Sequence, residues 1–304
     1  MIVRILLLLV FASAAPAALV KDVRAAIAQN GFKQGEALIQ SYRSYHGITP
    51  EMILALSWLG RGALAAKQLD QADSYAAETR KLALAQLHSR PLDVEKDLPL
   101  ALGASIEVQA HVMDSRGRRS EAIGFLRREL ATYHATSIRA RIQKNIHLLS
   151  LAGRPAPPLE LESYLGPRPE PLDRLKGKPV VLFFWAHWCS DCKAQAPILG
   201  RVAAKYASQG LAVIGPTQRY GYVAEGRDAT PEQETPYIDE IRRRFYSVLD
   251  PMAVPVSEEN FRNYGASTTP TLVLIDRKGL VRAYHPGAVS EDSLDAAVQS
   301  LVGK

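Results

Sequence analysis

Apolar residues in the first half of the chain recur three and four apart, and the breakers fall between the resulting stretches. Residues 18–151 are rich in Ala, Leu, Gln, Arg and Glu, which enter a helix at little cost. The periodicity predicts helices near 20–29, 33–45, 50–66, 70–87, 99–115, 119–133 and 137–151. Gly31, Gly47, residues 67–70, Pro91 and Gly117 mark the joints. The pattern changes past Gly153-Arg-Pro-Ala-Pro-Pro158, where three prolines end the last helix and favour extended backbone. Continuous apolar runs then predict strands at 180–186, 211–214, 271–275 and 280–284. They alternate with helices predicted at 191–208, 234–246, 257–264 and 290–302. Alternation that closes on a hairpin, here around Asp276-Arg-Lys-Gly279, predicts an α/β fold: a central mixed sheet flanked by helices.

The N-terminus has a different pattern. Arg4 precedes the short apolar run 5–12, and small residues follow at 12–17. That order predicts a cleaved secretion signal over residues 1–17. The run is shorter than the roughly 20 residues a spanning helix needs, so stable membrane insertion after cleavage is not expected. The expected organisation is therefore a signal peptide (1–17), an all-α domain (18–151) and an α/β domain (152–304), placed in the periplasm or another extracytoplasmic compartment.

Two helix pairs in the all-α half resemble tetratricopeptide repeats. Leu59-Gly60 is followed by Ala72, Gly117 by Ala122, and Gly35-Glu-Ala37 opens a weaker copy. The family needs small residues there because two helices cross closely. Ala72 and Ala122 are 50 apart, against a repeat of about 34, and the segment 89–99 lies between them. A plain helical bundle is the alternative. The repeat reading implies helical hairpins that offer a surface to a protein partner.

Charge adds little. The net charge is +6, with the excess between residues 21 and 151, while 152–304 are balanced. No run of like charge has the length of a nucleic-acid arm, and Arg242-Arg243-Arg244 falls on a predicted helix. No nucleic-acid partner is expected.

The chemistry concentrates in two cysteines, the only ones in the chain. They sit in Trp188-Cys-Ser-Asp-Cys192, between a predicted strand and a predicted helix. Cys189 at a helix start would be held as a thiolate by unpaired backbone N–H groups and the helix dipole. Half of a zinc site is the other meaning of such a pair, but it needs further ligands, no cysteine remains, and the histidines offer no paired spacing. Neither metal nor cofactor is implied.

In this setting residues 153–304 resemble the TlpA-like group of exported thiol–disulfide oxidoreductases, which have a thioredoxin fold. The resemblance rests on Ala156-Pro157, Leu175-Lys-Gly-Lys-Pro-Val180, Phe184-Trp-Ala186, Trp188-Cys-Ser-Asp-Cys192, Pro197, Thr269-Pro270-Thr271 and Ile275-Asp-Arg-Lys-Gly279. It implies a redox-active disulfide between Cys189, the exposed nucleophile, and Cys192, the buried resolving thiol. It also implies a kink at Pro197, a cis peptide before Pro270, and pairing of the Thr269 backbone with an extended substrate. The partners it implies are a protein disulfide and an upstream thiol donor, with the chain acting as a disulfide reductase.

Several positions depart from that pattern. Ser190-Asp191 stands where the family has a proline-containing pair, and the charge of Asp191 beside the sulfurs opposes a thiolate, which favours a reductant; Asp191 also suits a helix start pointing to water. Gln195 stands where many relatives carry a Glu, and Phe183 where classical thioredoxins carry a buried Asp. His187, two before Cys189, is the side chain placed to substitute, although a surface histidine is the ordinary reading of such a position. Arg219, Tyr220 and Tyr222, in a longer insertion after the second strand, either contact a partner or pack on one another. Two other functions keep a place: a thiol-dependent peroxidase, although Ala186 stands where such enzymes carry a Thr, and a partner-binding helical scaffold with an accessory redox domain.

Overall fold

The computed structural model describes residues 18–303, so the expected signal at 1–17 lies outside the described residues. The chain forms two compact units, the first ending at Gly117 and the second beginning at Arg118.

The first unit is all helical: α1 (Ala18–Ala28), α2 (Phe32–His46), α3 (Pro50–Ala65), α4 (Leu69–Gln86) and α5 (Asp97–Ser115). Helix α3 is its hub and packs against the other four. Its start is set locally, because Pro50 occupies the first turn and the Thr49 hydroxyl accepts the Met52 N–H at 3.2 Å. Ile53, Leu59 and Ala63 of α3, Ala72 and Ala76 of α4, and Leu98 and Leu102 of α5 are buried. Gly60 lets α4 approach, since a Cβ there would lie 3.5 Å from the Tyr75 Cβ and 3.7 Å from the Ala72 carbonyl. The small residues singled out at 60 and 72 thus do meet at a helix crossing.

The second unit opens with α6 (Arg119–Thr132) and α7 (Arg139–Ser150). The α/β part follows as β1 (Tyr164–Leu165), β2 (Val180–Phe184), α8 (Ser190–Tyr206), β3 (Ala212–Ile214), α9 (Pro231–Phe245), β4 (Val254–Pro255), α10 (Glu258–Tyr264), β5 (Thr271–Ile275), β6 (Val281–Pro286) and α11 (Glu291–Val302). The main sheet has the order β3-β2-β5-β6, with β2 parallel to β3 and antiparallel to β5. β1 and β4 make a separate two-stranded ribbon. The β5–β6 turn is held by Asp276, whose carboxylate accepts the Lys278 and Leu280 N–H groups and pairs with Arg282.

Residues alternate across the sheet, as strand geometry requires. Val181 and Phe183 of β2 face α8 and α11 through Leu199, Val202, Leu294 and Val298. Val180, Leu182 and Phe184 face α10 through Phe261 and Tyr264, and Leu151 joins that side. Each such large apolar side chain contributes about 1.5–3 kcal/mol on burial, and every residue of β2 is buried. Helix α7 is bound to the same side. The Arg139 guanidinium pairs with Glu259 at 2.8 Å, and the His147 ring lies 2.8 Å from the Asn263 carbonyl. Gly265 has φ +61°, and a Cβ there would collide with the backbone of Lys144. The composition change near 153 is therefore not where compactness divides the chain: two helices that read like their predecessors belong with the sheet.

Candidate active site

β2 ends at Phe184 and delivers Trp185–Trp188 to the N-terminus of α8. Trp185 anchors the delivery. Its indole N–H donates to the Gly215 carbonyl at 2.9 Å, and its own carbonyl accepts the Thr217 hydroxyl at 2.8 Å. Its ring packs on Tyr246 with centroids 4.4 Å apart. Gly215 leaves room for this contact, since a Cβ there would meet the Met252 sulfur at 2.6 Å and the Trp185 indole nitrogen at 3.2 Å, and Met252 would have to move. The chain then turns, with the Cys189 N–H on the Ala186 carbonyl, and Cys189 becomes the N-cap of α8.

Cys189 and Cys192 form a disulfide with Cα atoms 5.3 Å apart. The Cys192 N–H donates to the Cys189 Sγ at 3.0 Å. A backbone donor of the first helical turn therefore already points at the sulfur on which charge would develop after reduction. Cys192 is fully buried as expected, but Cys189, expected to be exposed, is only 4% exposed, because the side chains around it cover the disulfide, whereas Trp188 beside them is 50% exposed. Asp191 is exposed on the first turn of α8. Pro197 lies within the helix.

The Thr269–Pro270 peptide bond is cis. Thr271 pairs with Phe184 across the β2–β5 ladder, which sets the Thr269–Pro270 segment beside the end of β2. The Pro270 carbonyl accepts the Gly287 N–H at 2.7 Å, and two residues on the Val289 N–H donates to Gln195 Oε1 at 2.7 Å. Gln195 thus ties α8 to the loop that holds Pro270. It is 1% exposed, and its Nε2 has no hydrogen-bond partner among the described residues.

His187 is not at the surface. It is 1% exposed, and its Nε2 lies 3.2 Å from Glu234 Oε1, on a carboxylate that is also 1% exposed. Glu234 belongs to α9 and in addition accepts the Tyr220 and Gly221 N–H groups at 2.6 and 2.8 Å. Tyr220, Tyr222 and Tyr237 stand edge-on around the His187 ring at 5.3–5.5 Å. Tyr220 also meets the Trp188 ring at 5.5 Å. Burial pushes the His187 pKa down, and Glu234 only partly offsets that. The insertion after β3 therefore packs against the active-site loop itself. Sequence reasoning placed Tyr220 and Tyr222 in that insertion but missed Glu234. The Thr230-Pro231…Gln233 capping box gave a signal for where α9 starts, and no signal tied position 234 to 187.

Among the described residues no helix is long and apolar enough to cross a membrane. Residues 152–284 match the AhpC/TSA family. The thiol–disulfide oxidoreductase ResA of Bacillus anthracis is 26% identical over 149 residues, which are 49% of this chain and 78% of that protein. The thiol:disulfide interchange protein DsbE of Xylella fastidiosa is 27% identical over 148 residues, which are 48% of this chain and 66% of that protein. A putative DsbE crystal structure from Chlorobium tepidum superposes with a TM-score of 0.38 at 25% identity, covering 50% of this chain and 98% of its own. Residues 152–284 are thus similar to the AhpC/TSA family and to thiol–disulfide oxidoreductases, in keeping with an oxidoreductase domain of the thioredoxin fold.

Proposed function

We propose that the protein is an extracytoplasmic protein disulfide reductase that works through Cys189 and Cys192. One observation carries this reading: the disulfide sits at the start of α8, with a helix-terminal N–H on the Cys189 sulfur and Cys192 buried behind it. In the reduced protein the Cys189 thiolate attacks a substrate disulfide and expels one substrate thiolate. Cys192, deprotonated in turn, attacks the Cys189 sulfur of the mixed disulfide, and the second substrate thiol leaves. A thiol donor then returns the pair to the dithiol and is itself oxidised. The reductive direction is supported by Asp191, whose negative charge on the first turn of α8 disfavours a thiolate and so the reduced state of a strong oxidant. Export is supported by the signal-like order of residues 4–17. The helical unit is read as a repeat-like surface for a protein partner, on the strength of the Gly60–Ala72 crossing.

The experiment is a trap. Cys192→Ser leaves Cys189 to attack and removes the thiol that resolves the product. Mixed disulfides through Cys189 should accumulate in the exported fraction and vanish in a Cys189→Ser, Cys192→Ser protein. An untrapped Cys192→Ser protein, with its Cys189 free and alkylatable, overturns the mechanism.

A further inference from the structure

His187, two residues before Cys189, is paired with Glu234 of α9, and the pair has the build of a proton site. Both side chains are buried, and both Glu234 oxygens accept backbone N–H groups from the insertion. With those donors in place the carboxylate stays an acceptor. His187 Nε2, which faces it, therefore carries the hydrogen, and Nδ1 is the nitrogen left to take up a proton. At the two family positions for ionisable groups stand Phe183 and Gln195, neither of which can hold a proton in exchange. The two Cα atoms of His187 and Cys189 can be no more than about 7 Å apart, because only two residues of chain join them.

We propose that His187, positioned by Glu234, takes up a proton when the Cys189–Cys192 disulfide is reduced, and so partly offsets the charge of Asp191 and lets Cys189 form the attacking thiolate. This rests on the redox reading of the cysteine pair. The step balances: two electrons come from a dithiol donor, which becomes a disulfide, and the Cys189–Cys192 bond breaks. One of the two accompanying protons goes to the Cys192 sulfur. The other goes to His187 Nδ1 instead of the Cys189 sulfur. The groups around His187 favour such a switch. Tyr220 and Tyr222 are kept neutral by burial, which pushes both up, and Tyr237 completes the ring wall. The charges acting on it are Glu234 from α9, which favours an imidazolium, and Lys193 from α8, which opposes it. In the disulfide state burial holds the imidazole neutral. Reduction adds one anion close by and tips the balance.

The test uses the full chain. Imidazole nitrogen NMR is recorded on the oxidised and the dithiothreitol-reduced protein between about pH 5 and 8, where histidine charge changes are read. His187→Gln identifies the resonances. The expected result is an imidazole that is neutral in the oxidised protein and protonated in the reduced one over a shared pH range. An identical titration in both states overturns the proposal, and this measurement needs only the wild-type fold. A second reading is the thiolate absorbance of the reduced protein. His187→Gln should lower the thiolate-to-thiol ratio at Cys189 at least about tenfold at a given pH, a shift of one pKa unit. Glu234→Gln, which keeps a hydrogen bond but not the charge, should lower it less. Equal thiolate in wild type and both variants also overturns the proposal. A pair that dithiothreitol cannot reduce sinks the redox reading and this one together. A pair that cycles beside an unchanging His187 sinks this one alone.

Discussion

Gln195→Glu replaces a neutral amide by a carboxyl at a 1% exposed position, one turn past Cys192. The new oxygens inherit one donor, the Val289 N–H that now reaches Oε1 at 2.7 Å. The other end inherits no donor or acceptor from the described residues, among which Gln195 Nε2 has no partner. Burial raises a carboxyl pKa by up to about 3–5 units in full desolvation. One backbone donor works against that, so a rise of about two units is a fair working value. At about 1.36 kcal/mol per unit the variant loses about 2.7 kcal/mol once the pH is above both pKa values. The sign follows from linkage. Below about pH 4 folded and unfolded chains are both protonated at 195, and the penalty is absent. Between the unfolded value near 4.3 and the raised folded value, the unfolded chain ionises first and stability falls as pH rises. Above that window the loss is constant. Urea unfolding of the oxidised proteins, compared as variant minus wild type at about pH 4 and about pH 7.5, reads this directly, since the disulfide cysteines do not titrate. A difference that does not change with pH would mean that water reaches position 195, and it would refute the claim that this site is closed to charge.

Two further outcomes test the packing. A fragment starting at residue 118 should fold as the sheet unit, whereas one starting at 152 loses the Arg139–Glu259 pair, the His147–Asn263 contact and buried Leu151; its urea stability should fall by at least about 2 kcal/mol, and equal stabilities would refute the assignment of α7 to that core. In the helical unit, Gly60→Ala places its methyl in ordinary contact with α4 and should stabilise by up to about 1 kcal/mol through helix propensity. Gly35→Ala meets buried Leu59 at 2.8 Å and should instead cost about 1–3 kcal/mol by overpacking. Thermal melts that rank the two the other way would overturn this account of the crossings.

The elements most legible in the sequence are those whose patterns are set locally. β2 is an unbroken apolar run because both faces of its sheet are covered, and its start at Val180 follows from that. The helices of the first unit have apolar spacing and breakers that agree, and their observed ends lie within about two residues of the expected ones. β1 and β4 had no comparable signal, since two residues cannot display a period. α6 and α7 have the same amphipathic pattern as α1–α5, and what ties α7 to the second unit is a set of partners more than a hundred positions away, such as Asn263 and Glu259, while α6 packs on α7. The cysteine pair was legible for the opposite reason: the two residues are neighbours, and the strand and helix around them are local. Glu234 was not, because its importance comes from meeting residue 187 across 47 positions.

That contrast explains where an ionisable group can exist beside this dithiol. Phe183 lies 6.0 Å from the Tyr246 ring, which in turn packs on Trp185. A carboxylate at 183 would enter a buried aromatic cluster, where a charge is costly unless it is paired. Position 195 offers one backbone donor. Position 234 offers two backbone donors and a histidine ring, and it obtains them only because the insertion folds its Tyr220–Gly221 backbone over the start of α9. The extra loop is thus what makes a buried carboxylate sustainable next to the redox loop. Its sequence therefore has to be read together with Trp188-Cys-Ser-Asp-Cys192, since Tyr220 touches both the histidine and the exposed tryptophan of that motif.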